Sequence, residues 1–256
     1  LHVDHMGLAD MLARDNSKVY FNEPETRMMN SQEENWDSYW QELIDLYVAN
    51  GFPPDSAWVS MKSHPAHKYG LKRKLNFTIV KDGDAIDMGD FHFRCVSTPG
   101  HSPGHTSLYE ANHKILVAGD HILFDITPNI AHWIEMEDAL GQYLASLEKV
   151  NALAVRLVLT GHRRLVHDLP RRVKELQDHH NSRLNEVLAA LGDGAKDVLQ
   201  IAPHIKWDIT AKTWEEFPPP QKWFAFGETM AHVRYLEING KVRRKSQNGT
   251  IKYVMA

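Results

Sequence analysis

The sequence predicts an α/β fold in which a layered sheet carries helices on its outside. Three observations lead there. From residue 76 the apolar residues recur at every second position, as in NFTIVKDGDAIDMGDFHFRCVSTPG. Two later runs, ILVAG and VRLVLTGH, are short and apolar, and each leads straight into Asp or His. Amphipathic segments of helical period surround them, NSQEENWDSYWQELIDLYVAN and EMEDALGQYLASLEKVNAL.

Taken in order, MGLADMLARD at 6–15 predicts a short helix and KVYFN a strand. Residues 30–50 predict a helix with Trp36, Tyr39, Trp40, Leu43, Ile44, Leu46 and Tyr47 on an apolar face used for packing. Asn50-Gly51 closes it and Pro53-Pro54 turns the chain. Residues 55–75 are expected to be helical as well. Strands then follow around the DGD and MGD turns, with a hairpin at Ala111-Asn112 before ILVAG enters Asp120. The first domain is expected over 1–180 and a smaller one over 181–256. The latter should hold a helix, the loop WEEFPPPQKW, a second helix and a basic hairpin around Asn248-Gly249. That order suggests a winged-helix-like unit.

Composition narrows the function. Apolar residues are 43% and charged residues 24% of 256, an ordinary globular balance. A net charge of −4 points to neither a nucleic-acid coat nor a strong acidic field. The single Cys95 excludes an internal disulfide, and in its alternating strand it reads as a buried, inert thiol. No run approaches the roughly 18 apolar residues of a membrane helix. A cytoplasmic location and no membrane partner are therefore expected. Sixteen histidines, several beside Asp or Gly, hint at metal.

The chemistry sits in four pieces: HVDH at 2–5, PGHSPGH at 99–105, AGDH at 118–121 and TGH at 160–162. Strand ends would bring them to one rim of the sheet. Imidazole and carboxylate donors suit zinc, iron or manganese without thiolate. In HVDH, His2 is expected on one side of a tight turn, with Asp4 and His5 on the other, so one loop can serve two ions. Two ions roughly 3.5–4 Å apart can hold a bridging hydroxide at neutral pH. Asp120, at the end of a buried strand, is the natural bridge. His105 reads as a group holding its loop, His121 and His132 as pocket, core or surface, and His179-His180 as a solvated pair at a helical junction.

These motifs resemble the metallo-β-lactamase superfamily, whose signature is H-x-H-x-D-H followed by a distant His, Asp and His. The resemblance spans residues 1 to about 180 and implies an αββα sandwich. It implies that His2 and His101 hold a first metal, that Asp4, His5 and His162 hold a second, and that Asp120 touches both. Asp4 and Asp120 are the carboxylates it assigns to catalysis. The family's first His would fall two positions before His2, so the chain is expected to begin inside the motif of a longer polypeptide. The first half of the sandwich and one ligand of the first metal would then lie outside the given sequence. The tail resembles the winged-helix-like extension of lactamase-like hydrolases, some of them endoribonucleases.

The expected function is hydrolysis of a small-molecule ester, thioester, lactone or amide by a metal-bridging hydroxide, with two divalent ions, zinc first. The alternatives are an endoribonuclease of the lactamase-like group, or a nucleic-acid-binding protein with a vestigial metal site. Lys241, Arg243, Arg244, Lys245 and Lys252 form the basic tail. They are read as a solvated hairpin, a lid or a homodimer surface before a phosphate contact.

Overall fold

The structure is a computed structural model describing residues 1–71 and 73–256, with the side chains of residues 30–37, 67 and 68 outside the description. Its helices and strands are, in order, α1 (Val3–Met6), α2 (Ala9–Leu12), β1 (Val19–Asn22), α3 (Glu23–Ala49), α4 (Pro54–Lys62) and α5 (Pro65–Tyr69). Next come β2 (Phe77–Val80), β3 (Ala85–Met88), β4 (Phe91–Ser97), β5 (Thr106–Glu110), β6 (Ile115–Gly119), α6 (Ala139–Asn151) and β7 (Leu157–Thr160). The chain ends with α7 (Leu169–Ala190), α8 (Val198–Ile201), α9 (Pro219–Ile238), β8 (Val242–Gln247) and β9 (Thr250–Met255).

The described chain divides into two compact units. The first takes Leu1–Glu34, Pro65–Pro128 and Gln142–Leu176. Its sheet has the order β3-β4-β5-β6-β7, and β1 and β2 form a separate parallel pair. The first three pairings in the larger sheet are antiparallel, with short turns joining β3 to β4 and β5 to β6 and a longer loop, 98–105, joining β4 to β5, whereas β6 and β7 are parallel. A parallel pair needs a long crossover, and α6 lies within it. The apolar alternation in β4–β6 buries Cys95, Leu116 and Ala118 completely, together with Val158 of β7 and Tyr143 and Leu147 of α6.

The second unit takes Asn35–His64, Asn129–Gly141 and Gln177–Ala256. The packing face expected on α3 is there: Trp40, Ile44 and Tyr47 are buried, and Tyr47 stacks on Trp223 of α9 at 4.2 Å. Trp36, named with that face, lies outside the described side chains. Gly51, at φ +102°, takes the left-handed position that ends α3. The Asn248-Gly249 turn has φ +52° and +80°, the positive pair a two-residue hairpin needs, and it joins β8 to β9.

Several expectations differ from the structure. The segment 6–15 is not one helix; Gly7 separates α1 from α2. Among the described residues of 55–75, helix is found in α4 and α5 alone. The Pro-rich stretch is only partly loop: Pro219 and Pro220 open α9, where a fixed φ and a missing N–H cost nothing. His179 and His180 lie well inside α7, and His180 is fully buried rather than solvated.

Candidate metal centre

Topology alone gathers three of the four motif pieces. β4 and β6 both pair antiparallel with β5, so they run in the same direction, and β7 runs parallel to β6. The loops leaving β4, β6 and β7 therefore depart from one edge and carry His101, Asp120 and His162. Strand carboxyl ends are where α/β sheets place their ligands. The fourth piece arrives on α1, so HVDH occupies a helical turn and not the tight loop its spacing suggested.

The donors meet in two clusters that share one residue. His2, His101 and Asp120 form the first; Asp4, His5, Asp120 and His162 form the second. In each, one ligand atom per residue lies within 4.8 Å of the others. The helical turn puts His2 in one cluster and Asp4 and His5 in the other. His2 packs edge-on against His101 at 4.6 Å, and His5 against His162 at 5.1 Å. Asp120 Oδ2 lies 3.0 Å from His5 Nε2 and 3.5 Å from His101 Nε2. Its Oδ1 lies 3.5 Å from His162 Nε2 and, although buried, has no hydrogen-bond partner among the described residues. Asp4 Oδ2 is 3.1 Å from His162 Nε2.

This donor set fits metal. A buried carboxylate oxygen without a hydrogen bond is costly unless a cation meets it. The nitrogen and oxygen donors match zinc and its neighbours. Burial works to raise the Asp120 carboxyl, but His101 and His5 outweigh it and hold it well below the usual carboxylate range. The hydrogen bond to Asp120 raises His5, while burial, with His101 alongside, keeps His2 neutral. The clusters differ in exposure. The side chains of Asp4 and His162 are 53% and 39% exposed, against 9% for His101, so the second cluster opens to solvent.

Supporting residues fix these loops. His105 holds its loop as read: Nδ1 lies 2.8 Å from Thr98 Oγ1, which is 3.0 Å from Ser107 Oγ. Burial, with His121 nearby, lowers His105, and burial pushes His121 down to about 3. His121 is thus fully buried core. His132 is partly buried and belongs to the second unit. Gly161 admits no side chain, because an added Cβ would lie 2.3 Å from Asp120 Oδ1. Glu25 was not anticipated. Its buried carboxylate accepts from Ser102 Oγ and from the Gly104 N–H, bracing the loop that carries His101. A lone acid near a helix start gives no sequence signal of that role.

Known proteins resemble this chain in sequence and in fold. The family profile described as metallo-beta-lactamase superfamily matches residues 1–162, and that of the metallo-beta-lactamase-like C-terminal domain matches 184–256. A lactamase-like protein, adaB, of Aspergillus niger is 31% identical over 112 residues, which are 44% of this chain and 33% of that protein. An uncharacterized protein of Aquifex aeolicus is 38% identical over 81 residues, 32% of this chain and 33% of its own. The matched segments thus span about a third of these relatives' length. The crystal structure of a metallo-beta-lactamase family protein from Thermus thermophilus superposes with a TM-score of 0.75 at 28% identity, covering 94% of this chain and 72% of that one. A beta-lactamase domain protein from Burkholderia ambifaria gives 0.72 at 26% identity, covering 82% and 60%. On the profile match across its first 162 residues, the chain belongs to the metallo-beta-lactamase superfamily.

Proposed function

We propose that the chain is a binuclear zinc hydrolase that cleaves a small-molecule ester, thioester, lactone or amide. One observation carries this reading: a single carboxylate, Asp120, is shared by two separate donor clusters at the edge of the sheet. His2 and His101 would hold one ion, Asp4, His5 and His162 the other, and Asp120 both. Ions bound there would activate water and polarise a carbonyl oxygen.

The chain's own residues set the remaining terms. Asp120 stays anionic across the working pH range because His101 and His5 outweigh its burial. The first cluster is the more buried of the two and the second opens through Asp4 and His162, so substrate would approach from the second side. A small-molecule substrate is supported over RNA by the net charge of −4 and by a short basic run, in which Arg244 is already paired with Glu237.

The test is metal analysis together with a panel of thioester, lactone, β-lactam and single-stranded RNA substrates. The zinc-loaded protein should hydrolyse a carbonyl substrate. Asp120→Ala should lose bound metal and at least about 100-fold in turnover, because a direct ligand should matter no less than the groups supporting one. Unchanged metal with unchanged turnover would overturn the bridge.

A further inference from the structure

Histidine also clusters away from the sheet edge. In the second unit, His179 and His180 of α7 and Glu228 of α9 each place a ligand atom within 4.8 Å of the others. His180 is fully buried and Glu228 is 5% exposed. A second buried imidazole, His232, stands behind them, one helical turn beyond Glu228.

The hydrogen bonds fix the tautomers. His232 Nδ1 lies 2.8 Å from the Glu228 carbonyl, which can only accept, so that nitrogen carries the proton. Burial disfavours the imidazolium, leaving His232 Nε2 as an acceptor. His180 Nδ1 lies 3.1 Å from that Nε2 and must therefore be the donor. A neutral His180 then carries its lone pair on Nε2. A ligating histidine has the same arrangement, with one ring N–H held by an acceptor so that the other nitrogen is turned to the ion.

We propose that His179, His180 and Glu228 form an additional site for a zinc-class divalent ion, with His232 positioning His180. Two imidazoles and one carboxylate are a donor set for such ions, with water completing the coordination. The Glu228 carboxylate is already held by Arg183 through Oε1 and by Asn129 Nδ2 at 2.8 Å through Oε2. Those contacts orient it. Arg183 also shares its charge, so the ion should bind more weakly here than at the sheet edge. The Arg183 guanidinium is held in turn over the Trp207 ring, at 4.4 Å.

The test is zinc stoichiometry of the full chain after equilibrium dialysis, comparing the parent with His179→Ala and Glu228→Gln. His179 is only partly buried, which favours folding of its variant. Each variant should bind one zinc fewer per chain than the parent. Anomalous diffraction at the zinc edge on zinc-soaked parent crystals should show a peak among His179, His180 and Glu228, and it does not depend on any variant folding. Equal stoichiometry in parent and folded variants, or anomalous peaks at the sheet edge alone, would overturn the site.

Discussion

The Glu25 carboxylate and the Ser102 hydroxyl meet inside the protein, although 77 residues separate them. Ser102 directly follows His101, so the start of α3 sets where a proposed ligand stands. Replacing Glu25 by Leu removes the acceptor from both Ser102 and the Gly104 N–H, and each stranded donor costs about 1–3 kcal/mol. Metal affinity should drop by about 10–100-fold, the usual effect of losing a group that orients a ligand. Competition with a chromophoric chelator would read the change. An unaltered affinity would mean that the loop holds itself.

Gly161 offers a test that removes no ligand at all. In Gly161→Ala the new methyl would lie 2.3 Å from Asp120 Oδ1 and 2.8 Å from His5 Cε1. Both are side chains of the second cluster, so the strain falls on the metal site before it falls on the sheet. Bound metal should fall while the circular dichroism spectrum stays that of the parent. Full metal content in this variant would show that the two side chains can shift aside without harm to the site.

His132 should make stability depend on pH. Burial lowers it to about 4, with Arg234 adding to the effect, and its Nδ1 is buried without a hydrogen-bond partner among the described residues. An unfolded histidine titrates near 6.5, so between those values the unfolded chain binds the extra proton. Stability from this group is therefore complete above about pH 6.5 and is lost as pH falls towards 4. From pH 7 to 5 the loss should be on the order of 1–2 kcal/mol. Urea unfolding of the parent and His132→Gln at both pH values isolates the contribution. Equal losses in the two proteins would remove His132 as the cause.

The edge of the sheet was legible in the sequence because its signals are local. A period of two fixes the strands, and polar residues just past a strand's end mark the edge, so PGHSPGH, AGDH and TGH could be placed on one rim without coordinates. The choice of His101 over His105 rested on the family resemblance. Other features depended on partners distant in the chain. Glu25 acts across the fold, and the neighbours of His180 come from α9. A helical pattern rich in charge made HH look solvated; only the packing of α7 buries it. HVDH was read as a tight turn because its spacing alone cannot distinguish a loop from a single helical turn. The Pro-rich run looked like loop because proline's tolerance at a helix start is a matter of position, not composition.

The basic hairpin separates the two substrate classes. On the β8–β9 ribbon, alternation puts Arg243 and Lys245 on one face and Arg244 on the other. Lys252 lies opposite Lys245 and reaches Gln200 Oε1 at 3.3 Å. Arg244 is committed to Glu237 through contacts of 2.6 and 3.0 Å. Any single-stranded RNA on this hairpin would therefore meet Arg243 and Lys245 first. Neutralising two phosphates gives a salt slope of about −1.4 in log K against log salt. Replacing Arg243, Arg244 and Lys245 by Ala should leave small-ester turnover within about twofold, below half a kcal/mol in barrier terms. It should also produce no change in RNA binding, because the proposed substrate is not a phosphate chain. Fluorescence anisotropy with a labelled single-stranded RNA at two salt concentrations would check the second half. A slope near −1.4 that disappears in the triple variant, together with no ester or thioester turnover in the parent, would move the assignment to RNA cleavage.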